Sequence, residues 1–235
     1  MTQTTRHSDT VSRLLTAIQE GHYPIGSALP SERELAATFD ISRNTLREAI
    51  RTLANAGVVE IRPRSGTVVL PGASSRNVAL RARAEASGDH SPLDLIVARL
   101  ALEPVCAEYA ADHRSEEDLR SLAEALHKQE AAVTRGEDPS EPDVMFHSAI
   151  AAATHNPALA ILQSQLAQMM HGSLWNELKG HAREAASANE KYLDHHRLIY
   201  DAIADQDSRR AGHLMTSHLA DIESALRAEA YRGLD

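Results

Sequence analysis

Four side chains in the C-terminal half of the chain have types and spacing that suit a metal centre. Asp143 and His147 stand four residues apart, one helical turn, so both can face the same interior point. His196 and His218 lie in two later helical stretches, and facing helices of a bundle can gather such ligands around one ion. Three imidazoles and a carboxylate make a borderline donor set, suited to a divalent ion such as Zn, Ni, Co or Mn. Such a site leaves coordination positions for water or for ligand oxygens. Each residue also has a plainer reading. Asp143 could serve as a first-turn acid behind Ser140 as N-cap. His147 and His218 could be ordinary histidines among the thirteen present. His195 competes with His196, but Tyr192, His196, Ile199 and Ile203 share one apolar stripe, which favours His196. Arg99 interrupts an apolar run (Leu93, Leu95, Ile96, Leu100, Leu102) and needs a partner if buried. Glu103, one turn on, could be that partner.

A second constellation lies near the N-terminus. Arg43 and Arg47 share one helix face, opposite a stripe of Leu46, Ile50 and Leu53. Arginine at the start of a recognition helix can take both guanine acceptors in the major groove, contributing about 1–3 kcal/mol of discrimination. Asn44 and Thr45 could contact bases or phosphates, and Arg33 starts the preceding helix, where a phosphate would sit. Arg62, Arg64 and Gly66 form a wing tip able to follow the DNA backbone. One Arg pair alone would read as a solvated face; the capped helix before it and the basic hairpin after it favour DNA.

These residues need elements to position them. A first helix is expected over 9–21. A capping box, Ser31 with Glu34, opens a second helix that turns Leu35, Ala36 and Phe39 inward. Ser42 caps a third, which Gly57 closes. Two β-branched runs, 58–61 and 67–70, then predict a short antiparallel hairpin. Residues 1–71 thus read as a winged helix-turn-helix of three helices and a two-stranded wing. Residues 72–90 read as a linker, part of it helical because 78–86 holds no breaker. Residues 91–235 read as an all-α antiparallel bundle with helices near 92–112, 115–135, 141–154, 157–178, 183–205 and 207–231. The fold class is mainly α.

Composition fits two domains with different partners. Among 235 residues the net charge is −9. Residues 1–86 carry eleven Arg against eight acids, whereas the remainder carries thirteen basic and twenty-five acidic groups. Arginine is the cation suited to forked contact with phosphate and guanine. The single cysteine, Cys106, rules out an intrachain disulfide and points to a reducing compartment. No signal peptide and no run of eighteen apolar residues is present, so a cytoplasmic protein without membrane partners is expected.

The stretch from Gly21-His22-Tyr23-Pro24-Ile25-Gly26-Ser27 to Pro30-Ser31-Glu32-Arg33-Glu34-Leu35-Ala36 resembles the signature of the GntR family of bacterial regulators. So do Ser42-Arg43-Asn44-Thr45-Leu46-Arg47-Glu48-Ala49-Ile50-Arg51 and the wing over 61–69. The second part resembles the FCD class of that family, typified by FadR. It does so at Asp94-Leu95-Ile96-Val97-Ala98-Arg99-Leu100-Ala101-Leu102-Glu103-Pro104, at Asp143-Val144-Met145-Phe146-His147, at His196-Arg197-Leu198-Ile199-Tyr200 and at His218-Leu219. The family places its histidine directly before Arg, which again selects His196. Six evident helices fit the shorter variety of the domain better than the seven-helix one. The resemblance implies DNA contacts at Arg33, Arg43, Thr45, Arg47 and Gly66. It implies homodimers on short palindromic operators of double-stranded DNA, and an Arg99 that helps hold a small carboxylate effector beside the metal.

The expected function is therefore a ligand-switched repressor or activator, not an enzyme. A metal-dependent hydrolase is disfavoured because no paired general base accompanies the ligands and the winged domain would go unused. A regulator in which the ion itself is the signal, or a dimerising module that needs no ligand, remain the alternatives within the DNA-binding class.

Overall fold

In the computed structural model residues 3–63, 65–172, 175 and 186–232 are described. They divide between two compact units, Met1–Ser91 and Pro92–Asp235.

The first unit opens with α1 (Gln3–Gln19), followed by α2 (Glu32–Phe39) and α3 (Arg43–Asn55). The helix boundaries follow from side-chain chemistry. Ser31 Oγ accepts the Glu34 amide, while the Glu34 carboxylate accepts the Ser31 N–H at 2.9 Å, so two amides that a helix start leaves orphaned are satisfied. Asp40 adopts a left-handed conformation (φ 52°) and gives its N–H to the carbonyls of Ala36 and Ala37, which ends α2. Two residues later Ser42 Oγ accepts the Thr45 amide at 3.1 Å and starts α3. The tight turn of a helix-turn-helix thus needs only Asp40, Ile41 and Ser42. Strands β1 (Val59–Arg62) and β2 (Gly66–Val69) pair antiparallel, with Val59 opposite Val69 and Arg62 opposite Gly66. Val11, Leu14 and Ile18 of α1 share one core with Leu35, Leu46, Ile50, Leu53 and Val69.

Two expectations change. α1 begins at Gln3 rather than at residue 9. The presumed linker is mostly folded: a 3-10 turn, Pro71–Ser74, leads into α4 (Arg76–Ser87), which Gly88 terminates at φ 78°. Ala79, Ala82 and Ala86 repeat at helical spacing, and all three are buried in the core of the first unit, with α4 packed on α1 and α3. Asn55 adds a hydrogen bond from its amide to Glu85 at 2.7 Å. Alanine gives a helix a thin apolar edge that lets backbones approach closely. Apart from the half-buried Val78, no larger apolar residue joins that edge.

The second unit contains six helices among the described residues: α5 (Pro92–His113), α6 (Glu116–Arg135), α7 (Ser140–Ala153), α8 (Pro157–Met169), α9 (Ala186–Ala204) and α10 (Ser208–Arg232). α5 is the hub, packed against α7, α8, α9 and α10, while α6 packs against α7 and α9. Ser115 and Asp118 form a second capping box at the start of α6. Ile96, Phe146, Ile150, Ile199, Ile203, Met215 and Leu219 fill the interior. α8 ends at Met169, short of the expected 178. The start expected at 183, and the wing residue Arg64, lie outside the described residues. No described helix is long and apolar enough to cross a membrane.

Candidate metal centre and nucleic-acid interface

α3 carries its apolar residues Leu46, Ile50 and Leu53 inward, which leaves Arg43 and Asn44 exposed and Thr45 and Arg47 half-buried. Arg43 makes no hydrogen bond or ion pair with a described residue and is free to reach outward. Thr45 is held at the cap, its hydroxyl 2.8 Å from that of Ser42. Arg47 is engaged: its Nε and Nη2 donate to Glu32 at 3.4 and 2.9 Å. Arg33 is exposed on the first turn of α2. At the wing, Gly66 has φ 80°, where an L side chain would be strained, and a Cβ built there meets nothing within 4 Å.

The second constellation is wholly interior. His147 of α7, His196 of α9 and His218 of α10 each offer a ring nitrogen within 4.8 Å of the others. Their burial is near complete, at 4%, 0% and 0% exposure. His196 is oriented by α6: its Nδ1 donates to Gln129 Oε1 at 2.8 Å, and an amide oxygen can only accept. In its neutral form the His196 ring then keeps its lone pair on Nε2, which faces His218 Nε2 at 3.2 Å. An outer-shell partner that fixes the tautomer in this way is typical of metal-binding histidines. Asp143, also buried, stands 3.8 Å from the same His196 nitrogen. The His196–His218 N···N separation fits the roughly 3.0–3.4 Å expected between ligands on an ion with bonds of about 2.0–2.1 Å. Burial, then the neighbouring His196 and His147, hold His218 well below the usual imidazole range, so it is neutral and able to ligate. Both ring nitrogens of His147, and His218 Nδ1, are buried without a hydrogen-bond partner. His147 Nδ1 lies 2.8 Å from Glu103 Oε2 but off the line of a hydrogen bond. Orphans of this kind cost about 1–3 kcal/mol each, and a bound ion would relieve them. The chemistry and spacing of the donor set thus fit a divalent metal.

Beside the histidines lies a buried ion pair. Arg99 gives Nε and Nη2 to the Glu103 carboxylate at 2.7 and 3.1 Å, and Gln163 of α8 gives its amide to Glu103 Oε1 at 3.1 Å. Burial works against both charges, but each outweighs it for the other: Arg99 is held further up, and Glu103 is pushed far below the usual carboxylate range, with His147 assisting. Arg99 Nη1 and Gln163 Oε1 are nonetheless buried and have no hydrogen-bond partner. Pairing with Glu103, the plainer role read from the sequence, thus leaves Arg99 one donor nitrogen without a hydrogen-bond partner.

The alternatives weighed at Asp143 and His196 take definite form. α7 is capped by Pro139 with no side-chain bond, and Ser140 Oγ turns instead to Asp138 at 2.7 Å. Asp143 points into the bundle, buried. His195 packs toward α10 instead, 3.7 Å from Asp221, which also takes Lys191 at 2.7 Å. Sequence reasoning missed Gln129, Gln163 and Glu32. A glutamine within a helix carries no local signature. Glu32 looked like one more acid at a helix start.

Comparison with known proteins agrees with this layout. The model of bacterial regulatory proteins of the gntR family matches residues 7–69, and the FCD domain model matches residues 94–221. The Uxu operon transcriptional regulator of Escherichia coli (strain K12) is 34% identical over 207 residues, 87% of this chain and 80% of that one. The Exu regulon transcriptional regulator of the same strain is 33% identical, over 89% of this chain and 80% of its own length. A GntR family transcriptional regulator from Pseudomonas syringae pv. tomato shares the fold, with a TM-score of 0.55 at 21% identity over 95% of this chain and 85% of that one. With both domain models matched along one chain and relatives of this identity, the chain belongs to the GntR family of bacterial transcription regulators, with an FCD domain as its ligand-responsive part, and is a regulator rather than an enzyme.

Proposed function

We propose that this regulator binds a palindromic DNA operator as a homodimer in the cytoplasm, and that a small carboxylate entering the helical bundle controls that binding. Arg43, Thr45 and Arg47 read the major groove, Arg33 holds a phosphate, and Gly66 lets the wing approach the backbone. His147, His196, His218 and Asp143 hold one divalent ion, which supplies a Lewis-acidic anchor for carboxylate oxygens. Arg99 Nη1 completes the anchor. One observation carries this reading: an arginine with no solvent exposure keeps a donor nitrogen without a hydrogen-bond partner, beside a cluster of three buried histidines in which His147 and His218 also hold ring nitrogens without one. A closed core does not leave that many buried polar groups unmet unless something else meets them. Self-association is supported by Val97, Val105 and Tyr109, which form an exposed apolar stripe along α5 at 53%, 41% and 46% exposure.

The effector can shift operator binding only by its difference in affinity for the two states of the protein. The test is fluorescence anisotropy of operator DNA, titrated with candidate organic acids after loading with Zn, Ni, Co or Mn. Operator affinity should change at least severalfold with one acid. An affinity that stays constant across acids but follows free metal would replace the carboxylate by the ion as signal. Sedimentation should find a dimer.

A further inference from the structure

Of the two guanidinium groups at the start of α3, Arg47 is the one that does not wait freely for DNA. Glu32, the first residue of α2, takes its Nε and Nη2 side by side, at 3.4 and 2.9 Å. A guanidinium has two edges on which paired, parallel donors can be presented: one between Nε and an Nη, the other between the two Nη atoms. Glu32 occupies the first. The end edge is left, on a side chain still 43% exposed. Arg43, one turn earlier, has no such partner.

We propose that Glu32 is a specificity-determining positioning residue: it clamps Arg47 side-on, so that only the outer edge is offered to DNA and offered in one orientation. Two consequences follow from charge and shape. The outer edge matches the paired O6 and N7 acceptors of guanine. The carboxylate beside it repels backbone phosphates, so Arg47 is steered away from the sequence-blind contact that a free arginine would make. Glu32 stays ionised for this task. The hydrogen bond from Arg47 keeps its carboxyl below the usual range against the effect of burial, with the charges of Arg47, Arg43 and Arg51 adding to it.

The inference rests on reading α3 as the recognition helix, and the experiment separates the two. The full-length protein is used to enrich a duplex from a randomised library. Affinities are then measured for that duplex and for a scrambled duplex of the same composition, across a range of salt, with native protein, Glu32→Gln and Arg47→Ala. With Glu32→Gln the enriched duplex should bind about tenfold more weakly, the low end of what one bidentate base contact contributes. The scrambled duplex should bind severalfold more tightly, and the salt dependence should steepen by about one phosphate contact. If Glu32 merely ties α2 to α3, the substitution will lower thermal stability and weaken both duplexes by the same factor, with an unchanged salt slope; that result overturns the proposal. Loss of binding in Arg47→Ala, together with an unchanged specificity ratio in Glu32→Gln, removes the role of Glu32 alone. Full operator affinity in Arg47→Ala removes the reading of α3 as well.

Discussion

Replacing Glu103 by glutamine should be among the most damaging single changes to the second unit, although it alters one atom. Three N–H donors converge on the native carboxylate: Arg99 Nε, Arg99 Nη2 and the Gln163 amide, at 2.7, 3.1 and 3.1 Å. Glutamine offers one acceptor oxygen and turns an NH2 group toward at least one of those donors. Arg99, with no exposed surface, would also keep a charge with no counter-ion. Breaking a buried pair on one side typically costs about 3–5 kcal/mol. For a unit of this size that lowers the unfolding midpoint by roughly 10–15 °C. The single tryptophan, Trp175, is buried in the second unit, so its fluorescence reports the melting of that unit alone. Chelator in both samples removes any contribution from a bound ion. The double variant Arg99→Met/Glu103→Leu is the control: apolar replacement of both partners should restore stability to within about 1–2 kcal/mol of native. A Glu103→Gln protein that melts within about 3 °C of native would refute the reasoning, since it would mean the pair is neither dry nor charged.

Other consequences can be measured separately. His218→Ala should lower bound divalent metal from about one ion per chain to near zero, read by elemental analysis of the purified protein; undiminished metal would detach His218 from the centre. Arg43→Ala should abolish selective operator binding and leave the circular dichroism spectrum unchanged, because Arg43 is exposed and makes no hydrogen bond or ion pair with a described residue; retained selectivity would exclude it as a base contact. Gly66→Ala should cost about 1–2 kcal/mol in backbone strain alone, since its φ is 80° and space around it is open. A further loss of operator affinity would then report how near the wing tip comes to DNA, and unchanged affinity would exclude a close approach. Asp118→Asn should destabilise the protein by about 1 kcal/mol at neutral pH. Burial raises the Asp118 carboxyl, but bonds from Ser115 and His155 more than offset this and lower it below the ordinary 3.8. Its contribution is therefore complete above that value and disappears as pH falls through the lower folded-state value, so native and variant should converge in acid.

Much of this architecture is written locally. Ser31 with Glu34, and Ser115 with Asp118, set helix starts through atoms three residues apart, so a reader of the chain can place them. The change from helical to alternating apolar spacing after Gly57 marks the wing in the same way. The interior histidines were legible for a different reason. His147 stands one turn from Asp143, His196 lies on an apolar stripe, and with His218 they fall in the stretches that resemble the FCD class. What escaped was whatever depends on packing between distant segments. Gln129 acts on a histidine 67 positions away, and Gln163 on a carboxylate 60 positions away, so neither has a local pattern to betray it. A helix was expected within 78–86, but the packing of α4 into the first unit escaped, because alanine can fill an interface without the bulky stripe by which buried helices are usually recognised. The serines and the proline before it resembled a tether.

The placement of α4 has a practical corollary for anyone cutting this protein in two. Severed after residue 71, the DNA-binding portion would lose Ala73, Ala79, Ala82 and Ala86 from its interior and would bare the sides of α1 and α3 that they cover. Such a fragment should clump or melt at modest temperature, and its weak grip on DNA could be mistaken for dependence on the missing sensor. A fragment that runs through Ser91 keeps that seam closed. Trimming proteases should spare the alanine-rich helix and nick at its far end, near Gly88.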